Sequence, residues 1–391
     1  MAVPRFRLNR HPSVLARSIS GLEFGLMRLP TQHLALALFI VALIAAYVRA
    51  PAVGSTDFSA PPDAVASTLP AQFASEMLPD AEGTASHPNL AELPDGRIAA
   101  AWLSRQNDEH VISFSILDRD GWRAPVTIAN RESTAGGAVA YVSQIGQPVL
   151  YAEGTWLHLW YVSSTLGPSI NHSVSTDGGK SWAKATRLQT SPFANFGGDV
   201  RSPPIALADG GLGLPISRNF IGHGGDWLRL AATGQILGKV RLPGTQGSLQ
   251  PTVVAFDETH ALALLRDAGS PSGVIRSAAT ADGGQVWQEG ALSIPNPNAA
   301  IALLRLQSGR LLLAGNPAAG TQSLALWISA DDGKSWQAKR AIESAPDGGA
   351  EFTNPALLLG RDGRIHLAYD WRRQGIKHAV FSEAWLDGEV P

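Results

Sequence analysis

Six prolines, Pro88, Pro148, Pro204, Pro251, Pro297 and Pro355, each open the same pattern: an apolar run, a polar turn, and a second apolar run. They are spaced 60, 56, 47, 46 and 58 residues apart. Two short apolar runs about a turn are the signature of a β-hairpin, and the runs are too short for core helices. A unit that recurs at this period cannot bury its faces alone and must stack on its neighbours. The runs are apolar on both faces, which suits inner strands packed between sheets. Forty glycines and 26 prolines among 391 residues supply the chain reversals.

A second element recurs within these units. Ser175-x-Asp177-x-Gly179-x-Ser181-Trp182 and Ser329-x-Asp331-x-Gly333-x-Ser335-Trp336 share one pattern, and Thr280-x-Asp282-x-Gly284-x-Val286-Trp287 follows it with two changes. Their aspartates fall 29, 34 and 31 residues after Pro148, Pro297 and Pro251, and Asp118 stands 30 residues after Pro88 in a decayed copy. The box reads as local structure rather than a calcium or sugar site. Asp can accept turn N–H bonds, Gly supplies positive φ and Trp packs between sheets. These boxes resemble the Asp boxes of the sialidase (neuraminidase) superfamily, over residues 71–388. Segments such as Gln250-Pro251, Pro295-Asn296-Pro297-Asn298 and Ile365-His366-Leu367-Ala368-Tyr369-Asp370-Trp371-Arg372-Arg373 are similar to a bacterial group of that superfamily. The fold expected is all-β, a six-bladed β-propeller preceded by an N-terminal hydrophobic helix. The last unit is one strand short, and residues 71–80 are expected to supply that strand and close the ring.

Charged residues make up 16% of the chain and hydrophobic ones 45%, which excludes disorder along most of its length. The absence of cysteine excludes disulfides and thiolate chemistry. The net charge of −2 excludes a strongly basic nucleic-acid binder. That charge is uneven, with +5 on residues 1–50 and −7 on the rest. Leu34–Val48 is an unbroken apolar run flanked by arginines. We read residues 1–33 as a basic cytoplasmic segment and 34–53 as a transmembrane signal anchor, or a signal peptide cleaved near Ala50-Pro51-Ala52. Residues 54–70 read as a flexible linker and 71–391 as the propeller. The expected location is a bacterial inner membrane, with the propeller outside the cytoplasm, or secretion after cleavage.

Ligand sites of propellers gather around the central channel, where inner strands begin and second strands end. The first set of candidates is His87, Gln250, Asn296, Asn298 and Glu351; the second is Arg105, Arg218, Arg266, Tyr369, Arg372, Arg373, Lys377 and His378. Arg105, Arg266 and Arg373 stand at matched points of three units and could bind a carboxylate together. The resemblance implies three carboxylate-binding arginines, a Tyr nucleophile with a Glu base, and an acidic acid/base residue. On it we assign Tyr369 as nucleophile, Glu351 as its base and Asp108 as the acid. No His-Glu-x-x-His spacing occurs, so neither metal nor cofactor is expected. The resemblance implies a sialidase-type exo-glycosidase that takes an acidic sugar as its carbohydrate partner. A uronic-acid polysaccharide lyase and a non-catalytic carbohydrate-binding propeller are the alternatives.

Overall fold

The structure is a computed structural model that describes residues 31–48, 57–79, 85–138, 140–165, 167–190, 197–219, 222–269, 273–290, 292, 294–317 and 320–388. The chain divides into two units, residues 1–50 and 51–391. In the first, Thr31–Val48 forms a helix of 18 residues with Leu34, Leu38, Phe39 and Val41 exposed. At 1.5 Å per residue it rises about 27 Å, short of the roughly 30 Å hydrocarbon core of a bilayer. Among the described residues no helix is long and apolar enough to cross a membrane, so the expected spanning anchor is not supported. Residues 1–30 and the Ala50-Pro51-Ala52 site lie outside the described residues.

The second unit is a propeller of six antiparallel sheets. The inner strands are Ser86–Glu92, Gln144–Glu153, Gly198–Asp199 with Ile205–Ala206, Ser248–Ala255, Ala302–Arg305 and Phe352–Leu359, numbered here as blades 1 to 6. Five of the six recurrent prolines lie in or beside an inner strand, and Pro297 stands five residues before its own. In blades 1, 2, 4 and 6 the register slips at that proline, between Ser86/Asn89, Ile145/Pro148, Leu249/Thr252 and Thr353/Ala356. Proline has no N–H for a ladder, so a bulge is where a strand tolerates it. Phe73–Met77 pairs with Gly375–Phe381 and completes blade 6, so an N-terminal strand closes the ring.

Six apolar clusters occupy the six joints between blades. The Asp boxes rivet three of these joints. In blade 2, Asp177 accepts N–H bonds from Lys180 and Ser181 at 3.0 and 2.9 Å and the Ser181 hydroxyl at 2.6 Å. Trp182 then donates to the Gly179 carbonyl at 3.2 Å and meets Phe114 of blade 1 edge-on. Asp331 repeats these bonds with Ser335, and Asp282 with the Val286 amide. Trp287 and Trp336 join the clusters shared with blades 3 and 4 respectively. The Ser181 and Ser335 hydroxyls and amides hold Asp177 and Asp331 below the usual carboxylate range. In all three boxes the Asp side chain thus closes a tight turn on backbone N–H groups.

The linker expected over 54–70 is corrected from residue 57 onward. Phe58 is fully buried against Trp227, ring centroids 6.0 Å apart, and its amide donates to the Glu258 carbonyl at 2.7 Å. Val65 N–H bonds Gln307 O at 2.8 Å, and Arg305 reaches Pro62 O at 3.1 Å. Residues 57–70 therefore strap the hairpin turns of blades 3 to 5 before entering blade 6. One aromatic anchor and a few backbone bonds hold a Pro/Ala-rich segment that carries no periodic signal.

Candidate functional site

At the end of the channel where inner strands begin, all six blades contribute to one polar network. His87, Gln250 and Asn354 precede repeat prolines and adopt positive φ of 57°, 55° and 53°; Asn298, after Pro297, has φ 57°. This conformation turns their amides and side chains out of the ladder. The His87 amide donates to Asp370 Oδ1 at 2.9 Å, and Asn354 Nδ2 to Asp370 Oδ2 at 2.6 Å. The Gln250 amide is caught by Ser217 Oγ at 2.7 Å. Gln147 Nε2 donates to Asp199 Oδ1. Arg266 Nε donates to Gln250 Oε1 at 2.8 Å, and its Nη1 reaches Asp267 O at 2.8 Å and Asn298 Oδ1.

Electrostatics tie the network together. Burial raises Asp199 to about 6 against the opposing pull of Arg266 and Arg201, and raises Asp370 to about 7 against Asn354 and Arg201. Burial also lowers Arg201 to about 10 and His87 to about 3, the latter helped by Arg201, His110 and Arg266. At neutral pH the imidazole of His87 is neutral, and two carboxyls stand within two units or so of the ambient pH. This combination marks sites of proton transfer or anion binding.

Of the residues picked from sequence, the structure brings together His87, Gln250, Arg266 and Asn298. Asn296 sits behind them and braces its own turn, bonding Ala299 and the Asp267 amide. The others lie elsewhere. Tyr369 is fully buried between blades 5 and 6 and donates to Glu343 Oε1 at 2.7 Å, so the expected Tyr369–Glu351 pair is not formed. Burial pushes its phenol well above the usual range. Lys377 joins Tyr369 on Glu343 at 2.7 Å. His378 is fully buried, 3.0 Å from His366 in a nitrogen–nitrogen hydrogen bond. Glu351 pairs with an exposed Arg373 at 2.7 Å, and Arg372 lies over the Trp371 ring at 4.9 Å. Arg105 stands 3.5 Å from Asp108 in a hairpin turn, with Asp108 exposed. Arg218 is bound to the buried Asp226.

Strand register explains the three arginines. Leu249 faces Arg266, Thr353 faces Asp370 and Ser86 faces Leu103 at equivalent points of blades 4, 6 and 1. The counterparts of Arg266 are therefore Asp370 and Leu103, while Arg373 and Arg105 lie three and two residues further on. Asp199, Arg201, Gln147 and Asp370 were missed as site residues. Asp370 directly follows Tyr369 in the strand, so the two side chains point to opposite faces, and period-2 alternation is the signal that separates them. Asp199 and Arg201 follow no repeat pattern.

A separate cavity of about 740 Å³ fills the other half of the channel. Leu90, Leu150, Val254, Leu303 and Leu357 line it, with Glu92 and Arg361 paired at 3.2 Å among its residues. It holds none of the network. Among the described residues no His/Cys/Asp/Glu cluster could hold a metal ion.

Residues 96–367 match the BNR repeat-like domain family. No curated protein matches the chain. Among solved structures, a Hadza microbial sialidase is similar over 78% of this chain and 66% of its own, at 15% identity and a TM-score of 0.64. The intramolecular trans-sialidase of Ruminococcus gnavus is similar over 81% and 98%, at 13% identity and 0.62. The Trypanosoma rangeli sialidase is similar over 78% and 56%, at 14% and 0.58. These likenesses share the six-bladed fold, and the family match covers most of the propeller with its Asp boxes: the chain belongs to the BNR repeat-like domain family.

Proposed function

We propose that this protein is a glycoside hydrolase that removes an acidic sugar from glycans outside the cytoplasm, using the polar end of the channel. The observation that carries this reading is Asp199, a buried carboxyl near pKa 6 whose charge is felt by Arg266. Arg266 is half-buried and already oriented by Gln250 and Asn298, as a guanidinium that receives a sugar carboxylate must be. Asp199 donates its proton to the leaving glycosidic oxygen as the C–O bond breaks; water then adds to the sugar carbon and gives up a proton to the Asp199 carboxylate, which restores the acid. Tyr369 takes no part in this scheme. A second reading, binding without turnover, is favoured by the absence of any tyrosine among the network residues described above.

The test is hydrolysis of fluorogenic sialoside and glucuronide reporters by the full chain, with Asp199→Asn and Arg266→Lys. The hydrolase reading expects turnover that falls by roughly 10²–10⁴ in Asp199→Asn, and a raised KM in Arg266→Lys. An unsaturated, ultraviolet-absorbing product would replace it with a lyase. Saturable binding of N-acetylneuraminic or glucuronic acid without turnover would leave the binding propeller.

A further inference from the structure

Arg201 is 4% exposed and lies in the short segment that enters blade 3 from Asp199. Its Nη1 donates to the Pro88 carbonyl at 3.1 Å, and its Nη2 to the carbonyls of Asn354 at 2.9 Å and Pro355 at 3.4 Å. Pro88 belongs to blade 1 and the other two to blade 6. In a ring of six, blade 6 faces blade 3, so this side chain spans the channel axis. It does so at the level of the repeat prolines, next to the polar network; in blades 1 and 6 the residues lining the apolar cavity begin two positions further along, at Leu90 and Leu357, while in blade 3 Pro203 and Pro204 line it.

The three carbonyls are not arbitrary. Pro88 follows His87, and Asn354 and Pro355 form the corresponding corner of blade 6; His87 and Asn354 are the two left-handed residues that Asp370 holds. Asp370 therefore grips both corners through donors, and Arg201 grips them through acceptors. A planar fork with fixed donor directions suits this task, and a lysine ammonium does not. All three guanidinium nitrogens are inside the protein, and Nε finds no hydrogen-bond partner among the described residues. A buried charge with one donor unmet is costly, so its retention argues for a use beyond packing.

We infer that Arg201 is a positioning residue: it bolts the corners of blades 1 and 6 to blade 3 and so orients His87, Asp370 and Asp199 around the ligand. The hydrogen bonds that its Nη1 and Nη2 make all go to backbone carbonyls, which leaves Arg266 to meet an anionic ligand. The charge of Arg201 also acts on the network. Asp199 faces Arg266, Arg201 and Gln147; Asp370 faces Arg201, Asn354, Thr353 and the His87 amide; His87 faces Arg201, His110 and Arg266. In each case Arg201 favours the less protonated form.

This inference rests on the ligand site proposed above only for its binding arm. The experiment uses the full chain labelled with carboxyl-¹³C aspartate, with Asp199 and Asp370 assigned through Asp199→Asn and Asp370→Asn. Carboxyl titrations, thermal melting and N-acetylneuraminic acid binding are followed in wild type, Arg201→Met and Arg201→Lys. The expected result in Arg201→Met is an upward shift of both titrations by about one pH unit or more. Arg201→Lys keeps a cation, so its titrations stay nearer wild type, yet binding weakens at least about tenfold, the loss of one oriented charged contact. Should Arg201→Met not fold, the Arg201→Lys split between titration and binding decides alone. Lower melting with unchanged titrations and unchanged binding would reduce Arg201 to a structural bolt and overturn the inference. If wild type binds no acidic sugar, the proposed function fails, and the titration shift still decides the placement of Arg201.

Discussion

His87 and Asp370 join the first blade to the last: the His87 N–H donates to Asp370 Oδ1 at 2.9 Å, between residues 283 positions apart in sequence. The same carboxyl takes Asn354 Nδ2 on its other oxygen, so two left-handed corners hang from one side chain. The joint that closes the propeller is thus also part of its polar site.

Removing that carboxyl should loosen the ring. Asp370→Ala leaves the His87 amide, Asn354 Nδ2 and the Thr353 hydroxyl without their acceptor, and a loss of about 1–3 kcal/mol is expected, read by denaturant unfolding. The protonated form of Asp370 is favoured in the fold, with its pKa raised to about 7. Its contribution to stability is complete below the unfolded carboxylate pKa near 4 and disappears as pH rises through 7. Asp370→Asn should flatten this decline. A wild-type slope in Asp370→Asn between pH 4 and 7 would show that the carboxyl is ionised in the fold.

Buried histidines act in the opposite direction. His158 and His172 of blade 2 lie 3.0 Å apart between ring nitrogens, as do His366 and His378 of blade 6. Burial holds the four near pKa 4, 3, 4 and 3 respectively. The unfolded chain protonates near 6.5, so their stability is present above 6.5 and lost as pH falls toward 4. Around the second pair, Glu76 stands 3.8 Å from His378, and Asp362 and Arg364 act on His366. Replacing His366 and His378 by leucine should reduce the fall in melting temperature between pH 6.5 and 4. An undiminished fall would place the acid sensitivity elsewhere.

The N-terminal strap should contribute to stability although it resembles a tether in composition. Phe58→Ala empties a buried aromatic site beside Trp227 and should cost about 3–5 kcal/mol. Deletion of residues 57–65 should do at least as much harm. Unchanged denaturant midpoints for both would restore the tether.

The Asp boxes should matter for melting and not for ligand. Gly179 has φ +89°, and a Cβ there would meet the Phe114 ring at 2.5 Å. Gly179→Ala should therefore melt lower than wild type, as should Asp331→Ala, which deprives the Ser335 amide and hydroxyl of their acceptor. Sugar affinity measured below the melting range should be that of wild type. A selective loss of binding in either variant would make the box a ligand site.

The sequence by itself determined the number of blades, the Asp-box turns and the strand that closes blade 6. These follow from local signals: a proline and a pair of apolar runs repeated six times, an Asp–Gly–Trp turn whose bonds span five residues repeated in three of the units, and a last unit one strand short. It also marked His87 and Gln250, which directly precede repeat prolines, Asn298, which directly follows one, and Arg266 at the end of a second apolar run. What only the tertiary structure decided is which side of each strand end meets the channel. One residue of register separates Tyr369, buried against the neighbouring blade, from Asp370, which faces His87. The bulges at the prolines set that register, and their size is not written in the apolar pattern. The partners of Asp199 and Arg201, and the burial of Phe58, come from residues tens to hundreds of positions away. Such contacts depend on how the blades close around the axis, which no local spacing encodes.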